Sequence, residues 1–183
     1  MQHISFSELK NWAKCAYYHK LVNIEKLKGF VGNEHTAFGT AIHEVCEQRV
    51  LGQLAAGEEG ILFVATFEKE IESLLSDGVE LEQQLVTDME QQGKEVAGRP
   101  LAALSAYFGD YEVFSAEEAL YEPMEGLEYL FKGFIDLVVK TPDGKYHILD
   151  WKTTSWGWDA KRRSDPMVTY QLTLYKYYFA RKH

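Results

Sequence analysis

The sequence predicts a mixed α/β fold in which a helical N-terminal part serves a small sheet. Three observations predict it. Apolar residues recur at helical spacing through most of the first 110 positions. Residues 111–122, 128–140 and 145–152 are instead rich in β-branched and aromatic side chains, as strands are. A last helical pattern then opens at Asp165-Pro166, a capping residue with proline at the first helical position.

Residues 5–20 read as the first helix. Phe6, Leu9, Trp12, Ala13, Ala16 and Tyr17 follow its period, and Ser5 with Glu8 has the form of a capping box. Residues 36–54 and 60–76 read as the second and third helices. The acidic stretch 79–92 reads as an exposed helix, and Arg99 to Tyr107 as a short one. A three-stranded meander follows, and the final helix runs from Pro166 through Tyr178 or beyond. No internal repeat or low-complexity stretch interrupts the chain.

The 183 residues are expected to form one domain, 1–183. Residues 1–110 are its mostly helical part; 111–183 hold the sheet and the C-terminal helix. Hydrophobic content of 46% and aromatic content of 14% can fill a core, which excludes global disorder. No apolar run is long enough to span a membrane, and the N-terminus lacks a signal-peptide pattern. With only Cys15 and Cys46, a disulfide framework is not expected and a reducing, cytoplasmic setting is. The net charge of −9 argues against a simple cationic nucleic-acid coat. Yet Lys152 to His183 holds seven Lys or Arg against two Asp. That basic segment is either a solvated helix face or a guide for a polyanion.

The chemistry concentrates in "HILDWKTTSW", 147–156, where Asp150 and Lys152 end an apolar run. "KTPDGK" before it suits a three-residue hairpin loop, Pro142-Asp143-Gly144. Centred on Asp143, the hairpin sets Val138 opposite Ile148 and Asp136 opposite Asp150. Lys152 shares the face of Asp150 because strand side chains alternate. Facing residues have Cβ atoms roughly 5 Å apart. Two carboxylates at that separation repel by roughly 3 kcal/mol at an effective dielectric of about 20. A divalent cation between them offsets this more completely than Lys152 alone; hard cations such as magnesium take one or two carboxylates plus water and phosphate oxygens. A plain exposed ion pair is the simpler reading, but Phe134, Ile135, Leu137, Val138, Ile148, Leu149 and Trp151 imply a covered sheet.

"GFID" (133–136), "DWK" (150–152) and "QLTLY" (171–175), preceded by "FGTAIHEV" (38–45), resemble the RecB-like branch of the PD-(D/E)XK nucleases. "SFSELKNWAKCAYYHKL" (5–21) is similar to the opening helix of that branch, which includes exonucleases and CRISPR-associated members. The resemblance spans nearly the whole chain, with 55–110 least characteristic. It implies a restriction-endonuclease-like core, a mixed central sheet flanked by helices. It implies roles as well: His43 as a metal-ligating histidine sharing a helix face with Gly39, Asp136 and Asp150 as metal carboxylates, and the Trp151 carbonyl as a further ligand. Lys152 matches the catalytic lysine, while Gln171 and Tyr175 line the active site and position nucleic acid. Glu118 is a weaker acidic candidate, with Glu117, Glu122 and Glu125 equally available.

The implied activity is a Mg2+- or Mn2+-dependent hydrolysis of DNA, exonucleolytic and leaving 5′ phosphates, in repair, recombination, phage or CRISPR DNA processing. The implied partner is single- or double-stranded DNA with ends, with a helicase or recombination protein as a further partner. Lys161, Arg162 and Arg163, beside Trp156 and Trp158, are candidates for holding a strand. Some relatives carry an iron–sulfur cluster on four cysteines; Cys15 lies near the first such position, the other three are missing, and no cluster is expected. The family core usually continues past the glutamine–tyrosine helix, so the chain is minimal, a fragment, or completed by a partner. The alternatives to an enzyme are a DNA-end-binding module that does not cut and a subunit active only within a larger complex.

Overall fold

The computed structural model describes residues 2–27, 29–155 and 157–183. Its elements run β1 (His3–Ser5), α1 (Phe6–Lys14), α2 (Ala16–His19), α3 (Glu34–Val50), α4 (Glu59–Ser76), α5 (Gln83–Val96), α6 (Arg99–Phe108), β2 (Glu112–Pro123), β3 (Leu130–Lys140), β4 (Tyr146–Leu149), α7 (Ala160–Arg163) and α8 (Pro166–Lys182). A π-helical turn, Lys20–Ile24, follows α2. This is the mixed α/β architecture expected, with helices flanking a mixed sheet.

Strand β3 is the spine of that sheet. It pairs antiparallel with β2 along its whole length. On its other edge it pairs with β1 in parallel at Leu130–Lys132 and with β4 antiparallel at Leu137–Lys140. Helix α8 covers one face, where Phe131, Ile135 and Val138 meet Tyr175, Tyr178 and Phe179. Leu137 and Val139 face the other way and pack with Leu104 of α6. Helices α3, α4 and α5 form a separate apolar cluster in which Phe63 stacks on Phe67 at 5.5 Å.

The sequence expectations need five corrections. The first helix breaks at Cys15, whose backbone is extended (φ −165°, ψ 112°). Ser5 does cap α1 by accepting from the Glu8 N–H, but the Glu8 carboxylate meets His19 at 2.9 Å and leaves the box half made. The sheet has four strands, because three N-terminal residues add a parallel edge. The last strand stops at Leu149, so Asp150, Trp151 and Lys152 lie just beyond the ladder. Helix α3 also ends at Val50, four residues early.

Two local devices hold the helical part in register. Asn33 and Thr36 form a full capping box at the start of α3. The adjacent Glu34, buried, accepts from the Glu82 N–H at 2.8 Å and so caps α5 from a neighbouring helix. Among the described residues, no helix is long and apolar enough to cross a membrane.

At the other end of the chain, Glu118 of β2 anchors the end of α8, taking Lys182 Nζ at 2.6 Å and His183 Nε2 at 3.0 Å. Burial raises the Glu118 pKa, but the hydrogen bonds from Lys182 and His183 and the Lys182 charge outweigh it and hold the value at about 2. A carboxyl depressed in the folded state stabilises above its unfolded value and loses that contribution as pH falls toward the folded one. Glu118→Gln is therefore expected to cost about 1 kcal/mol near neutrality, after solvent screening, and nothing by about pH 2. Urea melts of both proteins across that range check it.

Candidate active site

The site is built where β3 passes the end of β4. The observed register pairs Leu137 with Leu149 and Val138 with Ile148. The Thr141–Lys145 turn sets it, with Gly144 at φ 82°. One step further along, Asp136 and Asp150 reach the same neighbourhood. Both are nearly enclosed, at 12% and 8% side-chain exposure, the burial that makes an unneutralised charge costly.

The backbone of Trp151 ties the elements together. Its N–H donates to Asp136 Oδ2 at 2.6 Å. Its carbonyl accepts from His43 Nε2 at 2.9 Å. His43 Nδ1 lies 3.7 Å from the same Asp136 oxygen. Gly39 lies one turn before His43 beside the chain after Lys152; a Cβ there would make an ordinary contact, 3.4 Å from Thr153 Oγ1.

Asp150 is held from the other side. Lys152 Nζ pairs with its Oδ2, and Gln171 Nε2 of α8 donates to its Oδ1 at 3.0 Å. The same Gln171 amide donates to Tyr175 Oη at 3.1 Å. Burial, countered by the Gln171 hydrogen bond and reinforced by the charges of Asp150 and Asp136, keeps Tyr175 a neutral phenol. His43, Asp136 and Trp151 thus form one set of contacts and Asp150, Lys152, Gln171 and Tyr175 a second, and the chain from Asp150 to Lys152 joins the two.

The basic residues of α7 join it only in part. Arg162 donates to Thr154 Oγ1 at 2.6 Å, two residues past Lys152. Arg163 turns to the Trp158 carbonyl, and no contact brings Lys161 or Arg163 to the carboxylates among the described residues. Trp156 lies outside the described residues.

Glu118, the acidic candidate from β2, is committed to α8 as described above. Its neighbour Glu117 is the one that senses the site. Burial raises its pKa, and the charges of Asp136 and of Glu47 on α3 add to the rise. Glu117 also holds φ 47°, rare for a residue with a Cβ. It sits where the strands lose their alternation: Ile135 and Val138 both face α8, while Leu137 and Val139 face α6. One residue of phase is lost across Asp136. Nothing in the sequence marks this, since the left-handed position is not a glycine; only Glu47, one helical turn after His43, carries a periodic signal.

A family model for the PD-(D/E)XK nuclease superfamily matches residues 3–183. The chain belongs to that superfamily. No curated protein matches the sequence. PD-(D/E)XK nucleases typically use divalent metals, and the donor set suits a hard cation: two carboxylates, the Trp151 carbonyl and an imidazole. Burial pushes the Asp136 carboxyl above its ordinary value; His43 and the Trp151 N–H oppose this, and Asp150 adds to it. Negative charge is in excess where Asp136 stands. Among the described residues no three His, Cys, Asp or Glu side chains form a ready cage, and Asp150 is engaged by Lys152 and Gln171. A hard cation needs no such cage when water and phosphate complete its shell. Cys46 lies near Asp136 but is buried, its thiol pushed up to about 12 by burial and by that charge, so it offers no thiolate near neutrality.

The glycine of "GFID" has a packing reason. A Cβ on Gly133 would lie 2.8 Å from Tyr175 Cε1 and 3.0 Å from Phe131 Cε1. Gly133→Ala must displace Tyr175, and with it the Gln171–Asp150 hydrogen bond. The expected result is a stability loss of about 1–3 kcal/mol and a further fall in activity measured well below the melting range.

Proposed function

We propose that this PD-(D/E)XK protein is a metal-dependent deoxyribonuclease, an exonuclease that leaves 5′ phosphates, working in DNA repair, recombination, or phage or CRISPR DNA processing. The observation that carries the reading is the pair of nearly buried carboxylates, Asp136 and Asp150, with Lys152 on one and His43 beside the other. Both accept hydrogen bonds, from Trp151 and Gln171, but buried charges so placed are a weak source of stability.

Asp136, Asp150 and the Trp151 carbonyl would hold Mg2+ or Mn2+, with His43 beside them. When bound, the metal lowers the pKa of a water and neutralises charge on the phosphate. Lys152 has its ammonium next to Asp150, where it can orient the attacking water and steady the phosphate oxygens. In-line attack breaks the bond to the 3′ oxygen, so the phosphate stays on the 5′ side. Gln171 holds Asp150 in place, and Tyr175 supports Gln171. No iron–sulfur cluster is part of the proposal, since Cys15 and Cys46 are two thiols where four are needed.

The test is labelled linear and circular DNA incubated with Mg2+, Mn2+ or EDTA. Metal-dependent release of 5′-phosphorylated nucleotides from linear DNA alone supports the full reading. Cutting of circles as well overturns the exonuclease part. Binding without cutting under either metal identifies a DNA-gripping module instead, and cutting only with an added partner identifies a subunit.

A further inference from the structure

A cavity of about 780 Å³ opens beside Lys152, between α3, α5, α6 and the chain after β4. Its walls include Phe38, Tyr107, Phe108 and Trp151, and its rim carries Arg99 and Lys152. The volume lies in the range of small-ligand sites. Aromatic walls with a few polar groups are what a nucleobase requires, because every base presents a π-face.

Charge separates this cavity from the rest of the molecule. The chain has 28 Asp and Glu and a net charge of −9. None of the cavity's lining residues is acidic. Among the described residues, no ion pair or hydrogen bond engages the Arg99 guanidinium. Arg162 reaches the same rim through its 2.6 Å bond to Thr154, another lining residue. Three cations therefore surround an apolar, aromatic hollow that shares Lys152 with the carboxylate pair. Tyr107 is 82% exposed and stacks edge-on against Phe108 at 4.8 Å. An exposed tyrosine braced by a second ring is a surface ready to take a third.

We infer that this cavity seats an unpaired base of the DNA strand being cut, adjacent to the scissile phosphate. Arg99 holds a flanking phosphate, and Tyr107 and Phe108 stack on the base. The inference rests on the nuclease reading and deepens it: the substrate is a strand with at least one base free of its partner, as at a single-stranded or frayed end. A duplex base, already stacked and paired, must be unstacked to enter.

The experiment measures binding, with no dependence on turnover. A short labelled single strand and a set of copies, each with one abasic position, are titrated by fluorescence anisotropy in EDTA and again with calcium. One abasic position is expected to weaken binding roughly tenfold, the scale of a single base–aromatic stack. Tyr107→Ala is expected to weaken the intact strand by a similar factor and that abasic copy not at all. Arg99→Ala is expected to weaken every copy alike and to lower the salt slope by about one. Both side chains are at the rim, and neither holds the fold. Equal binding of all abasic copies, or a Tyr107→Ala protein indistinguishable from the parent, overturns the inference. If the parent still cuts with metal in that case, the cavity assignment alone fails. A parent chain that neither binds nor cuts overturns the nuclease reading with it.

Discussion

Lys152→Met is expected to bind divalent cations several-fold more tightly than the parent chain and to cut DNA at least about 10²-fold more slowly. The two effects have opposite signs for one reason. The Lys152 ammonium pairs with Asp150, so it neutralises a carboxylate that an incoming cation also needs. Removing it leaves the two carboxylates with more uncompensated charge and a stronger attraction for a cation. The same removal takes away the positive group that would face the phosphate and the attacking water. Asp150→Ala differs: it loses the carboxylate itself, so cation binding and cutting should both fall, cutting by about 10³-fold or more. Calorimetric titration with Mn2+ and single-turnover cleavage of labelled DNA separate the cases. Weaker cation binding in Lys152→Met would mean that the lysine merely scaffolds Asp150.

Gly93→Ala is expected to destabilise the fold by about 3 kcal/mol, against the usual sign of that substitution. Alanine in a helix interior ordinarily adds up to about 1 kcal/mol over glycine. Here the added methyl would lie 1.9 Å from Phe63 Cζ. Phe63 is fully buried, stacked on Phe67 and edge-on to Phe38 at 5.0 Å, so its ring has nowhere to go. Overpacking of this kind costs about 1–3 kcal/mol or more, which outweighs the propensity gain. The double change Gly93→Ala with Phe63→Leu should recover part of the loss, because the smaller side chain vacates the contact. Denaturant midpoints of the three proteins check the pattern.

The parts of the fold that could be read from the sequence are those set by local chemistry. The β3–β4 register followed from Pro142-Asp143-Gly144, since loop length and the left-handed glycine leave one pairing. Asp165-Pro166 marked the start of α8 for the same kind of reason. What stayed hidden depends on distant partners. Strand β1 is three residues long and exists because Leu130–Lys132 of β3 offers it an edge, over a hundred positions away. Cys15 ends α1 with no glycine or proline to signal it. At the site, Asp136, Asp150 and Lys152 were legible because a hairpin brings them together. The approach of Glu117 and Glu47 was not, because it arises from a slip in strand alternation that no residue type announces. The basic triplet 161–163 was legible as charge alone; which of its members turns toward the site depends on the geometry of a four-residue helix, α7.

The Thr141–Lys145 connection acts as a gauge block. It is largely exposed and remote from the chemistry, and Gly144 at φ 82° and Asp143, which accepts from Thr141 and Lys145, hold its shape. Its length, however, determines which residue of one arm arrives beside Asp136. One residue more or fewer would bring Leu149 or Trp151 to that spot in place of Asp150. Homologues should thus vary in the lettering of this bend outside Gly144 and hardly at all in its count, a signature that points inward to a pair of acids it never touches.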